Sequence, residues 1–183
     1  MGLGVVVQFA VNIPVAILVN LPVNDLVRPY RNQNPQWPGL IIDVVEEQII
    51  TNLALATELN EKFAAVNARL AIDQFGRGMS AIAGRKVLPF AELKLDQTFV
   101  TDCSVDKGKA SLCKSVIDLA HNAGILAVAV GIEKAADTVA LTNMGCDVGQ
   151  GFLLGQPMPE ERFMSLLRHR GAGQGKAPAA TDA

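Results

Sequence analysis

A chain of 183 residues, half of them hydrophobic, can bury one sizeable core, and its size favours a single domain. The formal net charge of -2 and a pI near 5.7 supply no electrostatic footprint for a nucleic-acid polymer. Three cysteines, Cys103, Cys113 and Cys146, stand at spacings that match neither a zinc site nor a disulfide framework, and read as reduced, buried thiols of a cytosolic protein.

The first stretch of chain is apolar, but no Lys or Arg precedes Arg28. Gln8 and Asn12 interrupt the run, and Pro14 and Pro22 break it. That argues against a signal peptide or a membrane span and for a cytoplasmic protein with no membrane partner. Residues 5–12 (VVVQFAVN) read instead as a strand buried on both faces that ends on a polar amide. A helix is predicted over 13–30, with Pro14 in its first turn and Pro22 kinking or dividing it. Residues 31–38 read as a loop, with Trp37 as a packing residue. A second strand covers 39–46, and a helix capped by Thr51 runs to Arg69 on a stripe of Leu53, Leu55, Leu59, Phe63, Ala64 and Val66.

Residues 69–73 form the next strand, followed by a glycine-bearing loop through Gly84. Strands at 90–95 and 124–130 flank a helix at 104–123. A helix at 134–144, a short strand or turn at 147–152 and a helix at 160–169 complete one domain over 1–170. Residues 171–183 (GAGQGKAPAATDA) lack apolar bulk and are expected to be a disordered tail.

Strand alternates with helix throughout, and each strand is a continuous apolar run, which predicts an α/β fold with a parallel sheet. In such sheets ligand chemistry gathers at the carboxyl ends of the strands, where Asn12, Asp43, Asp73 and Lys94 fall. The first three make an oxygen-rich set suited to a hard divalent cation, with Lys94 placed to hold a water or phosphate oxygen. The alternative for each acid taken alone is that it caps the following helix or turn.

The segment LKLDQTFV at 93–100 resembles the LKIDRSFV signature of EAL-domain cyclic di-GMP phosphodiesterases. AVN at 10–12, IIDVVE at 41–46, IDQFGRG at 72–78, VGIE at 130–133 and GCDVGQGFLLGQPMP at 145–159 follow the family's order and nearly its spacing. The resemblance implies a (β/α)8 TIM-like barrel of EAL type. It also implies Mg²⁺ or Mn²⁺ as cofactor and a metal-activated water that opens one phosphodiester of cyclic di-GMP to give pGpG. By the same resemblance Asn12, Asp43 and Asp73 fall on metal ligands, and Lys94 on the lysine near the attacking water. Asn12, Asp73 and Gln150 fall on ligand contacts, while Glu46 and Glu133 support the site and its loop.

The departures from the family pattern fall on the chemistry. The Glu-Ala-Leu motif and the phosphate-binding arginine after it belong on a strand upstream of residue 1. A barrel of this type takes about 250 residues, so the barrel is expected to be incomplete at its N-terminus. Asp43 stands where the family has Glu, and Mg²⁺ tolerates little error in a shell of bonds of about 2.1 Å. Gln74 replaces the second acid of an Asp-Asp pair, and Val130 replaces the first Glu of Glu-Gly-Val-Glu. The loop after Gly76 reads RGMSA where a threonine, a tyrosine and paired serines are usual.

Losing one catalytic acid or base costs a factor of about 10² to 10⁴, and effects of this kind, though not additive, predict no useful hydrolysis. The expected function is a catalytically degenerate EAL-type domain in cyclic di-GMP signalling, acting as a regulatory or protein-interaction module with vestigial Lys94 and metal positions. The alternatives are a cyclic di-GMP receptor and an active metal-dependent phosphodiesterase. An incomplete barrel would expose a sheet edge, which predicts a homodimer or a protein partner over Val5–Ala10. The other reading is that the chain is a fragment.

Overall fold

The computed structural model describes residues 7–33, 37–76 and 87–173. Its sheet has six parallel strands: β1 Phe9–Asn12, β2 Leu40–Val45, β3 Ala68–Phe75, β4 Glu92–Leu95, β5 Leu126–Val130 and β6 Val148–Gln150. They lie side by side in chain order, each paired in parallel with the next. The helices between them are α1 Val15–Leu18, α2 Val23–Gln33, α3 Glu46–Ile49, α4 Leu53–Ala64, α5 Gln97–Val100, α6 Lys107–Asn122 and α7 Ala135–Met144. Residues 8–156 form one compact unit. The other unit contains α8, Glu160–Gly173, with two acids in the first turn that complement the helix dipole.

The outer strands β1, expected to be buried on both faces, and β6 leave most of their residues exposed, because each pairs along one edge alone among the described residues. Strands β2 to β5 bury both faces, but against different things. Ile42, Val44, Ala68, Leu70, Ile72, Leu93, Leu95, Ala127 and Ala129 belong to the main apolar cluster, together with Leu59 and Phe63 of α4 and Val116 and Ile117 of α6. Ile41, Ala71 and Val128 are as deeply buried yet stand outside that cluster. Side chains alternate across a strand, so these three mark the opposite face of the sheet, away from the helices. That opposite face carries the polar residues.

Several element boundaries differ from the sequence reading, each for a local reason. The helix predicted over 13–30 divides before Pro22, and its second half continues to Gln33, past the expected loop start at Arg31. Arg and Gln are good helix formers, and they carry the chain on despite Pro29 inside the helix. Asn52, not Thr51, caps α4 by accepting from the Leu55 N–H at 3.0 Å. The same helix stops at Ala64 instead of Arg69 because Asn67 turns left-handed, with φ of 57°, and sends the chain into β3. Asp106 caps α6, accepting from Gly108 and Lys109, so that helix begins after the predicted Ser104. Trp37 is partly buried against the core and donates from Nε1 to the Val66 carbonyl at 3.4 Å. Residues 1–6, most of the loop through Gly84, and residues 174–183 lie outside the described residues, and α8 reaches Gly173.

The three cysteines are free thiols. Cys103 and Cys113 are buried, and burial pushes them up to about 11 and about 12 respectively. Thiols held this far from the thiolate are packing groups, unreactive at neutral pH.

Candidate functional site

Strand register places the polar residues. Asn12 is directly across from Asp43, and Val45 is across from Asp73, so Asp73 stands one side-chain repeat beyond Asp43 toward the strand ends. Lys94 pairs with Val128, and Val130 with Gln150. By alternation these residues share the face marked by Ile41, Ala71 and Val128. The sheet therefore gathers Asn12, Asp43, Asp73 and Lys94, as the strand-end argument expects, with Val130 and Gln150 farther along the same row.

Between β3 and β4 the ladder is irregular. Ile72 pairs with Leu93 and Phe75 with Leu95, so Asp73 and Gln74 together oppose Lys94 alone. This two-against-one count is a β-bulge, a device that re-aims side chains beside sites. Gln74 adopts φ of 56°, a left-handed conformation costly for most L residues and easier for Asn. Gln74→Asn is accordingly expected to raise the unfolding free energy, by up to about 1 kcal/mol, read as a higher urea midpoint at unchanged slope.

The centre of the site is an ion pair. Lys94 Nζ donates to Asp43 Oδ2 at 2.6 Å, with the two side chains only 4% and 7% exposed. Asp43 Oδ1 is buried and accepts no hydrogen bond from the described residues. Burial pushes the Asp43 carboxyl above its usual range against the hydrogen bond and charge of Lys94, and the Asp73 charge pushes the same way as burial. Glu92, one side-chain repeat before Lys94 on β4, is also raised by burial, with Lys94 and Arg69 opposing and Asp43 adding to the rise.

Glu46 is buried at the start of α3, and its Oε2 accepts the Gly76 N–H at 3.2 Å, tying the end of β3 to the segment after β2. Gly76 permits this close approach, since a Cβ there would lie 2.0 Å from the Phe99 ring. Two cavities open nearby. One of about 450 Å³ is lined by Asp73, Gln74, Asp96, Gln97, Thr98 and Val130, among others, and a second of about 310 Å³ by Gln97, Val130, Glu133, Gln150 and Phe152. Asp96 is engaged as the cap of α5, accepting from the Thr98 N–H and hydroxyl. Gln150 and Glu133 thus line a cavity that shares Val130 and Gln97 with the cleft above Asp73.

Sequence reasoning missed two acids. Glu92 was legible as the residue two before Lys94 on a strand of period two. Asp137 was not, because an acid in the first turn of a helix ordinarily reads as a dipole complement. It is buried, and accepts from the Asp102 N–H at 3.2 Å and the Ser104 N–H at 3.0 Å. Lys134, just before α7, pairs with Asp102 in the same turn.

A family model, the EAL domain, matches residues 2–157. This chain belongs to the EAL domain family. It is 31% identical over 161 residues to the bifunctional diguanylate cyclase/cyclic di-GMP phosphodiesterase MucR of Pseudomonas aeruginosa, covering 87% of this chain and 24% of MucR. It is 32% identical over 126 residues to the cyclic di-GMP phosphodiesterase RocR of the same organism, covering 69% of this chain and 32% of RocR.

The solved P. aeruginosa MucR phosphodiesterase in complex with cyclic di-GMP superposes with a TM-score of 0.72 at 32% identity, over 84% of this chain and 63% of that one. The manganese and cyclic di-GMP complex of Klebsiella pneumoniae BlrP1 gives 0.66 at 27% identity, over 80% and 38%. The EAL domain here thus spans less than a third of the length of MucR and RocR, and its six-stranded parallel sheet matches part of an EAL barrel. Among the described residues, no group of three or more His, Cys, Asp or Glu is placed to hold a metal ion, and no helix is long and apolar enough to cross a membrane.

Proposed function

We propose that this EAL domain is catalytically degenerate and acts in cyclic di-GMP signalling as a regulatory or protein-interaction module. The observation that carries the reading is the row of side chains around Lys94. Asp43 is committed to the Lys94 ammonium, the bulge presents the neutral amide of Gln74 beside Asp73, and Val130 offers no donor at the next strand end.

Family members are metal-dependent, and two cations supply charge neutralisation and an activated water when bound. The donor set here does not fit two cations. Asp43, Asp73 and Glu92 are the acids on this face, Lys94 offsets one of them, and burial pushes Asp43 and Glu92 toward their neutral forms. Without the cations, the remaining groups can position an amide or a phosphate oxygen, but they lack the charge that phosphoryl transfer needs.

Purified protein incubated with cyclic di-GMP and Mg²⁺ or Mn²⁺ is expected to release no more pGpG than a metal-free control, measured by chromatography of the nucleotides. Release well above the control would overturn the reading. The cleft beside Asp73 and Gln74 and its continuation to Gln150 favour a second reading, a receptor that keeps the ligand without the chemistry. Calorimetry at tens of micromolar protein separates the two: heat on adding cyclic di-GMP supports the receptor, and none leaves the protein-interaction module.

A further inference from the structure

We propose that the cleft over the carboxyl ends of β3 to β6 is the docking site for an arginine-bearing, partly apolar segment of a protein partner. The inference rests on the degenerate reading above and names the chemistry of the partner that such a module takes.

The cavities of about 450 and 310 Å³ share Gln97 and Val130, so together they make one elongated cleft. Its apolar surface comes from Val130, which stands where the family has an acid, and from the Phe152 ring, 59% exposed, with Leu153 next to it in the same turn. Exposed apolar groups rimmed by polar ones mark an interaction surface. Three exposed glutamines, Gln74, Gln97 and Gln150, line the same cleft. Each amide both donates and accepts, which suits it to a peptide backbone.

Charge selects the occupant. Every charged residue lining the two cavities is an acid: Asp73, Asp96 and Glu133. On the sheet face beneath them Lys94 is engaged by Asp43, and Glu92 is a further acid, so the floor offers no free cation. Outside the lining, Lys134 pairs with Asp102, and Lys109 Nζ donates to the Thr101 carbonyl at 2.7 Å. Among the described residues the cleft therefore keeps a negative balance, which opposes a phosphate-bearing ligand and favours a cationic one.

Metal-using relatives balance acids in this position with bound cations. Here, among the described residues, no three acids are placed to hold one ion, but the side chains of an extended segment reach dispersed acids separately. Arginine fits better than lysine, because its planar guanidinium takes a carboxylate bidentately and stacks on an aromatic face. Glu133 and Phe152 line the same cavity and offer both.

Binding is read by fluorescence anisotropy at about 0.15 M salt, with fluorescein-labelled heptapeptides of alternating leucine and arginine and with counterparts carrying glutamine or glutamate for arginine. The arginine peptide is expected to bind at least about tenfold more tightly than the glutamine peptide, and the glutamate peptide not at all. The Asp73→Asn, Glu133→Gln double variant should weaken the arginine peptide at least about fivefold, and Phe152→Ala about threefold. Glu58→Gln with Glu61→Gln, at exposed positions of α4, removes the same charge outside the cleft and should bind as wild type does. Circular dichroism checks the fold, and should the cleft double variant not fold, Glu133→Gln and Phe152→Ala, both at exposed positions, carry the test.

Equal affinity for the three peptides would overturn the inference. So would cleft variants no weaker than the α4 pair, which would mark a general charge effect, or displacement of the peptide by stoichiometric Mn²⁺, which would mark a metal site. Failure of the peptide without pGpG formation defeats this inference and leaves the proposed function standing, whereas pGpG formation defeats the proposed function itself.

Discussion

Phe75→Ala is expected to lower the unfolding free energy by about 3 to 5 kcal/mol, the range for deleting a buried aromatic ring. Phe75 is wholly buried, pairs with Leu95 across the ladder and belongs to the main apolar cluster. Collapse around the missing ring is limited, because the backbone at Phe75 is held in the ladder to Leu95 and by its carbonyl accepting the Asp96 N–H at 3.2 Å. Phe75 is also the residue on which the bulge closes, so its loss should loosen Asp73 and Gln74 together. Urea unfolding followed by circular dichroism measures the effect. Val139→Ala, on the exposed face of α7, serves as the control and should stay within about 0.5 kcal/mol.

Asp137→Ala is expected to cost about 1.5 to 3 kcal/mol, the worth of hydrogen bonds to a charged group, and to change the response to acid. Burial pushes the Asp137 carboxyl up. The Ser104 side chain and N–H, the Asp102 N–H and the Lys134 charge outweigh it and hold the group below its ordinary 3.8. A carboxyl depressed in the folded state stabilises the fold above its unfolded pKa, and that stability is lost as pH falls through the folded value. Wild type should therefore lose stability on acidification below about pH 4, and Asp137→Ala should lose less over the same range.

Asp147, lowered by the Ala127 N–H and His121 against the effect of burial, leaves a residual acid sensitivity in the variant. Unfolding free energies from urea titrations at successive pH values give both slopes. A variant as acid-sensitive as wild type would place the effect elsewhere.

The fold was legible where one physical signal dominated. Continuous apolar runs ending on Asn12, Asp43, Asp73 and Lys94 announced parallel strands with a polar mouth, and the register confirms that those residues share a face. The four-residue helices α3 and α5 were not legible, since one turn is too short to display a period. The division at Pro22 was foreseen, but the persistence of α2 through Pro29 was not, because the local penalty of one missing N–H does not say which neighbours will hold the helix.

Within the site, sequence supplied the residues and not their partners. Lys94 read as a group that holds water or phosphate, whereas its contact is Asp43, 51 positions away. The bulge that pairs Asp73 and Gln74 against one lysine follows from how β3 meets β4, a relation no single strand records. Asp137 was invisible for the same reason: its role is defined by the turn at Asp102 to Ser104, which the chain reaches more than thirty residues earlier.

The strands lie in the order in which the chain makes them, and this has a consequence for how the protein opens and how such domains can be assembled. Each strand's backbone ladder runs only to the strand before and the strand after; the Lys94–Asp43 pair, from β4 to β2, is a side-chain bond that reaches across β3. Cutting between any two neighbours therefore breaks one ladder and leaves every other ladder intact. In this respect the sheet behaves like a one-dimensional stack, whose stability is a sum of units and nearest-neighbour joints. The terminal strands, β1 and β6, are each held by a single ladder and expose most of their side chains, while β2 to β5 are held on both edges. Fraying thus runs inward from the two ends, and the Lys94–Asp43 pair, by tying β2 to β4 across β3, binds the middle of the sheet together against it.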